Sequence, residues 1–469
     1  MAGVRSLKNS WTGLSKWPWR TVAAGLVVGT SLALGIIGWW CNRGLSNAHR
    51  LLQRQRWSEA RWELWRYLWL HPRQPSALLL LADSYIRDES IPQQEAAVRA
   101  LDTLQQIPDQ STYAAEARTK EGWIQLFMLH QPSRAEEKLR HAAELDRFAV
   151  EPRYWLWKLY DLTGRSNLAE PVVWQVLELT PEADRAMRLR EWYMSQFFPL
   201  SGCAALDFRM GLLGENEIPT VDVERRRFQL FRDAEPDRAL GYAALARWLT
   251  REGMPQVALE VLQAGEKQLL DTEKSHPFFL ATMIEVLIDL GKFAEAEAYF
   301  LRWPDEDRSF EYWRWRGVIE EEVRGDYQAA VAAYDQALPV WPGPVDWRMR
   351  VRKANCLARL GRAEEAERVR REAKQIEAQM DNSVHAPLRA ALADLNDRRS
   401  LLRMAEFYRD LGRPREAASW LQLAMKLPAA TPSTAQDRPL SQTTNQEPNG
   451  ARETDRGPSG LPLPTERAP

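Results

Sequence analysis

Apolar residues recur along most of the chain at helical rather than strand spacing, which predicts an all-α protein built from many short amphipathic helices. The stretch VRGDYQAAVAAYDQALPVWP, residues 323–342, shows the unit most clearly. Ala330, Tyr334 and Ala337 stand at i, i+4 and i+7 on one helix face, with Gly325 before the helix and Pro342 closing it. Small residues at the outer positions let a partner helix approach, and the large one fills the space between them. The same order returns with Leu287, Gly291, Ala296 and Phe300, with Leu249, Gly253, Ala258 and Leu262, and with Tyr160, Gly164, Ala169 and Val173. It returns again around Gly361 with Ala366, and around Gly412 with Ala417, Leu421 and Ala424.

The first small position falls at 60, 96, 135, 169, 258, 296, 330, 366 and 417, in steps of 36, 39, 34, 89, 38, 34, 36 and 51. Such a period indicates a repeat array. Counting back 34 from Ala258 puts Glu224 at the small position, Phe228 at the large one and Pro236 at the close. Residues 182–237 therefore read as a degenerate repeat with an insertion, a joint between repeats 1–4 (46–181) and the later repeats (238–427). The 51-residue step predicts one further helix near Asp381–Asp397.

Helix, glycine turn, helix and closing proline together resemble the tetratricopeptide repeat, over roughly residues 46 to 427. The resemblance implies a right-handed superhelix, an α-solenoid, whose concave face binds peptides or protein surfaces. In that frame the first helices would turn Tyr154, Lys158, Asp161, Arg247, Arg251, Glu285, Asp289, Asn355, Arg359, Glu406 and Arg409 toward the groove. The mixed signs predict a polar, charge-complementary partner. Asn355 follows Ala354 as in the family's carboxylate clamp, but neighbouring repeats do not supply the other clamp residues in register.

Outside the array the pattern changes. Thr21–Trp40 is a 20-residue run without a charge. As a helix it would be about 30 Å long, the thickness of a bilayer core. Trp17 and Trp19 precede it, Trp39 and Trp40 close it, and basic residues flank both ends. These features predict a single-pass N-terminal transmembrane helix behind a basic tail (1–20), with the array outside the cytoplasm, periplasmic in a bacterium. Gly25 and Gly29 form a GxxxG pair that could support a homodimer, although chance also produces one in a segment this rich in small residues. The tail, 428–469, is rich in Pro, Ser and Thr and predicts disorder.

Composition narrows the functional classes. The net charge is −1, so no broad electrostatic drive toward nucleic acid exists. The three cysteines form no CxxC pair, and the six histidines form neither HxxxH nor HExxH, so no metal or other cofactor is indicated. No GxSxG or phosphate-loop motif occurs, and no catalytic residue is assigned. The cysteine-rich metal module that ends one envelope type of this family is missing. The expectation is a non-enzymatic, membrane-anchored scaffold for protein partners in envelope assembly. The alternative is a regulatory or substrate-presenting subunit of an envelope enzyme or secretion complex.

One stretch, RWSEARWELWRYLWLHP (56–72), exceeds what the repeat needs. Ala60, Leu64, Tyr67 and Pro72 take the motif positions. Trp62, Trp65 and Trp69 form a separate stripe on the opposite face, with Arg61 and Arg66 beside them. The stripe is expected to dock the array on a bilayer, with Trp39, Trp40, Trp62, Trp65, Trp69, Arg61 and Arg66 as membrane-interface candidates; a contact with a partner and burial under the chain itself are the alternatives.

Overall fold

A computed structural model describes residue 40 and residues 43–197 and 221–428. Among them there is no strand. Helix α1 covers residues 43–53 and α2 covers Trp57–Leu70; α3 (Pro75–Ile86) pairs with α4 (Gln93–Leu104). Helix α5 (Ala114–Trp123), continued by a π turn, pairs with α6 (Pro132–Leu145), and α7 (Val150–Leu162) with α8 (Ser166–Leu179). Two helices then flank the undescribed residues 198–220: α9 (Glu182–Phe197) and α10 (Val221–Ala234). The later pairs are α11 (Ala239–Arg251) with α12 (Pro255–Glu266), α13 (Pro277–Asp289) with α14 (Phe293–Phe300), and α15 (Phe310–Ile319) with α16 (Tyr327–Ala337). They are followed by α17 (Trp347–Arg359) with α18 (Ala363–Gln379), an extra helix α19 (Asn382–Ala391), and α20 (Arg398–Asp410) with α21 (Pro414–Lys426).

The repeat motif explains the pairs. The six turn glycines read from the sequence, at 164, 253, 291, 325, 361 and 412, all have positive φ, the left-handed backbone that reverses one helix into the next. The alanines at 60, 96, 135, 169, 258, 296, 330 and 366 are buried. Close approach is required at Gly317, where a Cβ would lie 2.4 Å from Cε1 of the Tyr334 ring. Tyr334 thus fills the gap against its own repeat's first helix. Helix α19 occupies the excess length of the 51-residue step.

The last repeat departs from the pattern. On its second helix, α21, the buried residues are Glu416, Trp420 and Ala424, whereas Leu421 is exposed. The motif's Ala424 is buried as expected, and α21 packs on α9 as well as on α20.

The two parts of the array meet directly. Helix α10 and the start of α11 sit against α5 to α7, in a core shared by Leu126, Ala135, Leu159, Leu162, Phe228 and Phe231. The Glu235 carboxylate accepts the backbone N–H groups of Ser133 (2.8 Å) and Arg134 (3.0 Å), capping α6 from the other arm. At its far end the second arm returns to the first. Trp157, Trp192, Tyr193 and Phe197 share a core with Trp341, Leu388, Phe407, Tyr408 and Trp420. Around this core Arg413 is ion-paired with Glu170 and Glu416, Arg415 with Glu178 (2.8 Å) and Lys426 with Glu182 (2.6 Å). Both ends of the second arm are therefore fastened to the first, and α9 and α10 belong to different cores.

The localisation expected from the sequence is corrected here: among the described residues no helix is long and apolar enough to cross a membrane, so a single-pass anchor is not supported. The run Thr21–Trp40, apart from Trp40, lies outside the described residues, as do Trp39, Gly25, Gly29 and residues 429–469. Trp40 is helical and packs edge-on against Trp62, with ring centroids 5.8 Å apart.

Candidate functional site

The inner helices of several repeats converge on one cavity of about 790 Å³ between the arms. Asp161 and Gly164 come from the end of α7, Gln196 and Phe197 from the end of α9, and Phe228 from α10. Arg247 and Arg251 stand one turn apart on α11, Glu285 and Asp289 one turn apart on α13. Asp346, Trp347 and Arg348 close it from the start of α17.

A buried charge cluster forms its wall. Arg247 donates to the Gly164 carbonyl (3.1 Å) and to Glu311 (2.9 Å), and lies 3.2 Å from Glu285. Its guanidinium also stacks over the Phe278 ring at 4.6 Å. Arg314 reaches both Glu285 (3.7 Å) and Glu311 (3.8 Å). Burial pushes the Glu285 carboxyl up, but Arg247, Arg314 and Arg251 outweigh it and hold the group below its ordinary value. Asp289 goes the other way: burial and the neighbouring Glu285 raise it, against Arg314 and Arg348. Asp161 accepts a hydrogen bond from the Ser195 hydroxyl at 2.5 Å. Asp346 caps α17 by accepting from the Met349 N–H at 2.9 Å.

Of the eleven groove residues expected from the sequence, Asp161, Arg247, Arg251, Glu285 and Asp289 line this cavity together. The other six do not. Lys158 is buried beside Glu191 (3.3 Å) and against the Trp157 ring. Tyr154 lies under Arg188 at 4.2 Å, and burial with Glu191 raises its hydroxyl to about 12. Arg359 donates to the Tyr327 hydroxyl. Asn355, Glu406 and Arg409 are exposed elsewhere on α17 and α20. The motif did not point to Asp346, Trp347, Arg348 or Met380, because they sit at helix ends rather than at its groove positions.

The tryptophan stripe is exposed as its spacing predicts: Trp62 54%, Trp65 58% and Trp69 73%. Its two arginines are not available beside it. Arg61 pairs with Asp88 at 2.6 Å and donates to the Ser84 carbonyl at 2.9 Å, tying α2 to α3. Arg66 pairs with Glu63 and stacks over Trp40 at 4.0 Å. Both side chains are largely buried, because each charge is taken up by a neighbouring carboxylate.

Helix pairs with glycine turns and small-large-small interfaces define a helical-repeat protein of the solenoid class. Consistent with this, a family model described as tetratricopeptide repeat matches residues 282–343 and 320–381, which supports that family here. No curated protein matches the sequence. Among solved structures, the tetratricopeptide repeat domain of P58(IPK) is 17% identical, covering 82% of this chain and 92% of its own, with a TM-score of 0.22. The Cut9–Hcn1 assembly of the APC/C is 12% identical over 82% of this chain and 76% of that one, with a TM-score of 0.34. A tetratricopeptide repeat protein from Parabacteroides merdae is 12% identical over 63% and 99%, with a TM-score of 0.28. At such identities and scores these three carry no argument about partners.

Proposed function

We propose that this protein is a non-enzymatic scaffold that binds other proteins through the cavity between its two arms. The observation that carries this reading is the convergence of Asp161, Arg247, Arg251, Glu285 and Asp289, drawn from three separate repeats, on one cavity. Tetratricopeptide repeats are typically protein-interaction modules, and a volume of this size falls within the range of about 300–1,000 Å³ that accommodates ligands and peptide side chains. The rigid ends of helices α7, α11, α13 and α17 hold the polar groups without requiring the cavity to be assembled on binding.

Site-specific photocrosslinking tests the reading. A photoreactive amino acid at Arg348, inside the cavity, should capture partner proteins in cells. The same group at Arg368, an exposed position on α18, should not. Crosslinks of equal yield at the two positions would place binding elsewhere on the array.

A further inference from the structure

Away from the cavity, the outer face of α2 is left uncovered. Trp62, Trp65 and Trp69 keep more than half of their surface exposed, and Trp40 beside them keeps 45%. Taking about 250 Å² for a whole indole side chain, the patch exposes roughly 550 Å². That is near the upper end of the ~300–600 Å² of the largest apolar patch on a monomer, and such patches often serve binding. The end units of a repeat array ordinarily turn a polar face outward, whereas this first described repeat turns out indoles.

Independently of the cavity, we infer that this face pairs with the same face of a second copy of the chain. The spacing of the indoles, three residues and then four, is that of a seam between two helices. It is nearly symmetric about Trp65. A second α2 running antiparallel therefore sets Trp65 against Trp65, and Trp62 of one copy against Trp69 of the other, the self-complementary contact of a two-fold dimer. Charge permits the approach of identical faces. Arg61 is taken up by Asp88 at 2.6 Å and Arg66 by Glu63, so like charges do not meet across the seam. The same pairing leaves neither arginine beside the stripe for lipid phosphate, which weighs against a bilayer as the occupant. The face also accepts an incoming indole in the single chain: Trp40 meets Trp62 edge-on, with ring centroids 5.8 Å apart, and Arg66 stacks on it at 4.0 Å. Two such patches bury about 1,100 Å² together, just above the ~1,000 Å² of a specific interface, so the pair forms reversibly at micromolar concentration.

The test is sedimentation velocity on the full chain over a micromolar concentration series. The mass should double with concentration. Trp65→Ser should weaken the pairing at least about thirtyfold, since it removes the central indole from both copies. Urea unfolding of that variant, at a concentration where the pair is dissociated, should match the wild-type chain, so lost pairing is not lost folding. Trp62→Glu and Trp69→Lys should each abolish doubling alone, and an equimolar mixture should restore part of it, because the antiparallel seam sets these two positions opposite each other. A chain that stays monomeric throughout, doubling that survives Trp65→Ser, or a mixture no better than its components would each overturn the inference. So would a monomeric chain whose Trp65-dependent binding goes to phosphatidylcholine vesicles, or to a different protein captured by a photoreactive group at that position. Those results would give the face to a bilayer or to a foreign partner.

Discussion

Tryptophans gather at two places in this molecule, and the two behave in opposite ways. On α2, Trp62, Trp65 and Trp69 face outward and are more than half exposed. At the closure between the arms, Trp157, Trp192, Trp341 and Trp420 are all 2% exposed or less. The helix that carries Trp192 is no more apolar in pattern than α2. The difference lies in what the rest of the chain delivers. Helix α9 receives the returning α20 and α21 and the loop at Trp341, whereas the outer face of α2 receives only Trp40 among the described residues. Aromatic density therefore marks a surface that can be covered, and tertiary contact decides whether it is.

Substitutions at the two sites put this contrast to the test. Trp192→Ala should have the largest effect, about 3–5 kcal/mol of stability in urea unfolding, because a full indole leaves a packed core. Equal sensitivity at Trp65 would erase the comparison. Arg413→Ala should cost a similar amount, about 3–5 kcal/mol, since it strands the buried Glu416 carboxylate and frees Glu170. The double variant Arg413→Met with Glu416→Leu should recover much of that loss, which a purely packing-based closure would not predict.

Acid should act at the same seam with a smaller effect. His385 is buried, 2.9 Å from the Tyr193 hydroxyl and stacked on Phe197 at 4.9 Å. Burial lowers its pKa below the usual 6.5, helped by Arg389 and opposed by a backbone hydrogen bond and by Asp381. The unfolded chain binds a proton near pH 6.5 where the folded chain resists it. Stability is therefore complete above that pH and falls as pH drops through the folded value. The urea midpoint should follow this course, and His385→Gln should flatten it in part; His130 and His276, also lowered by burial, keep the remainder. The smallest effect belongs to α2. Trp65→Ser should change stability by no more than about 0.5 kcal/mol, as for most exposed positions.

The repeat itself was legible because it is a local, nearest-neighbour code. A glycine that must adopt positive φ and a small residue that must lie against a helix leave their marks one by one, so the six turn glycines could be read directly. Even Glu224, placed only by counting back from Ala258, is buried at the small position, with the Trp248 indole N–H donating to it at 3.3 Å. The shared register of successive inner helices brings Arg247, Arg251, Glu285 and Asp289 to one cavity. The motif does not anticipate that Lys158 pairs with Glu191 from α9, or that Asp346 and Arg348, at the start of α17, line the cavity. In the last repeat the motif pointed to Ala417 and Leu421, whereas the buried face carries Glu416 and Trp420.

The helical class, the glycine turns and the small-large-small interfaces were readable from the residue pattern, as was the placing of the α2 tryptophans opposite the repeat's own motif face. Each of these depends on interactions within one helix or between adjacent ones, over a few residues of chain. Tertiary contacts return the second arm to α8 and α9, carry Arg413 to Glu170, and bring Asp161, Arg247, Arg251, Glu285 and Asp289 to one cavity. The contacts that close the second arm on the first join residues more than 200 positions apart, such as Gln196 with Tyr408 and Glu170 with Arg413. They follow from small rotations accumulated over successive repeats, which no single motif encodes.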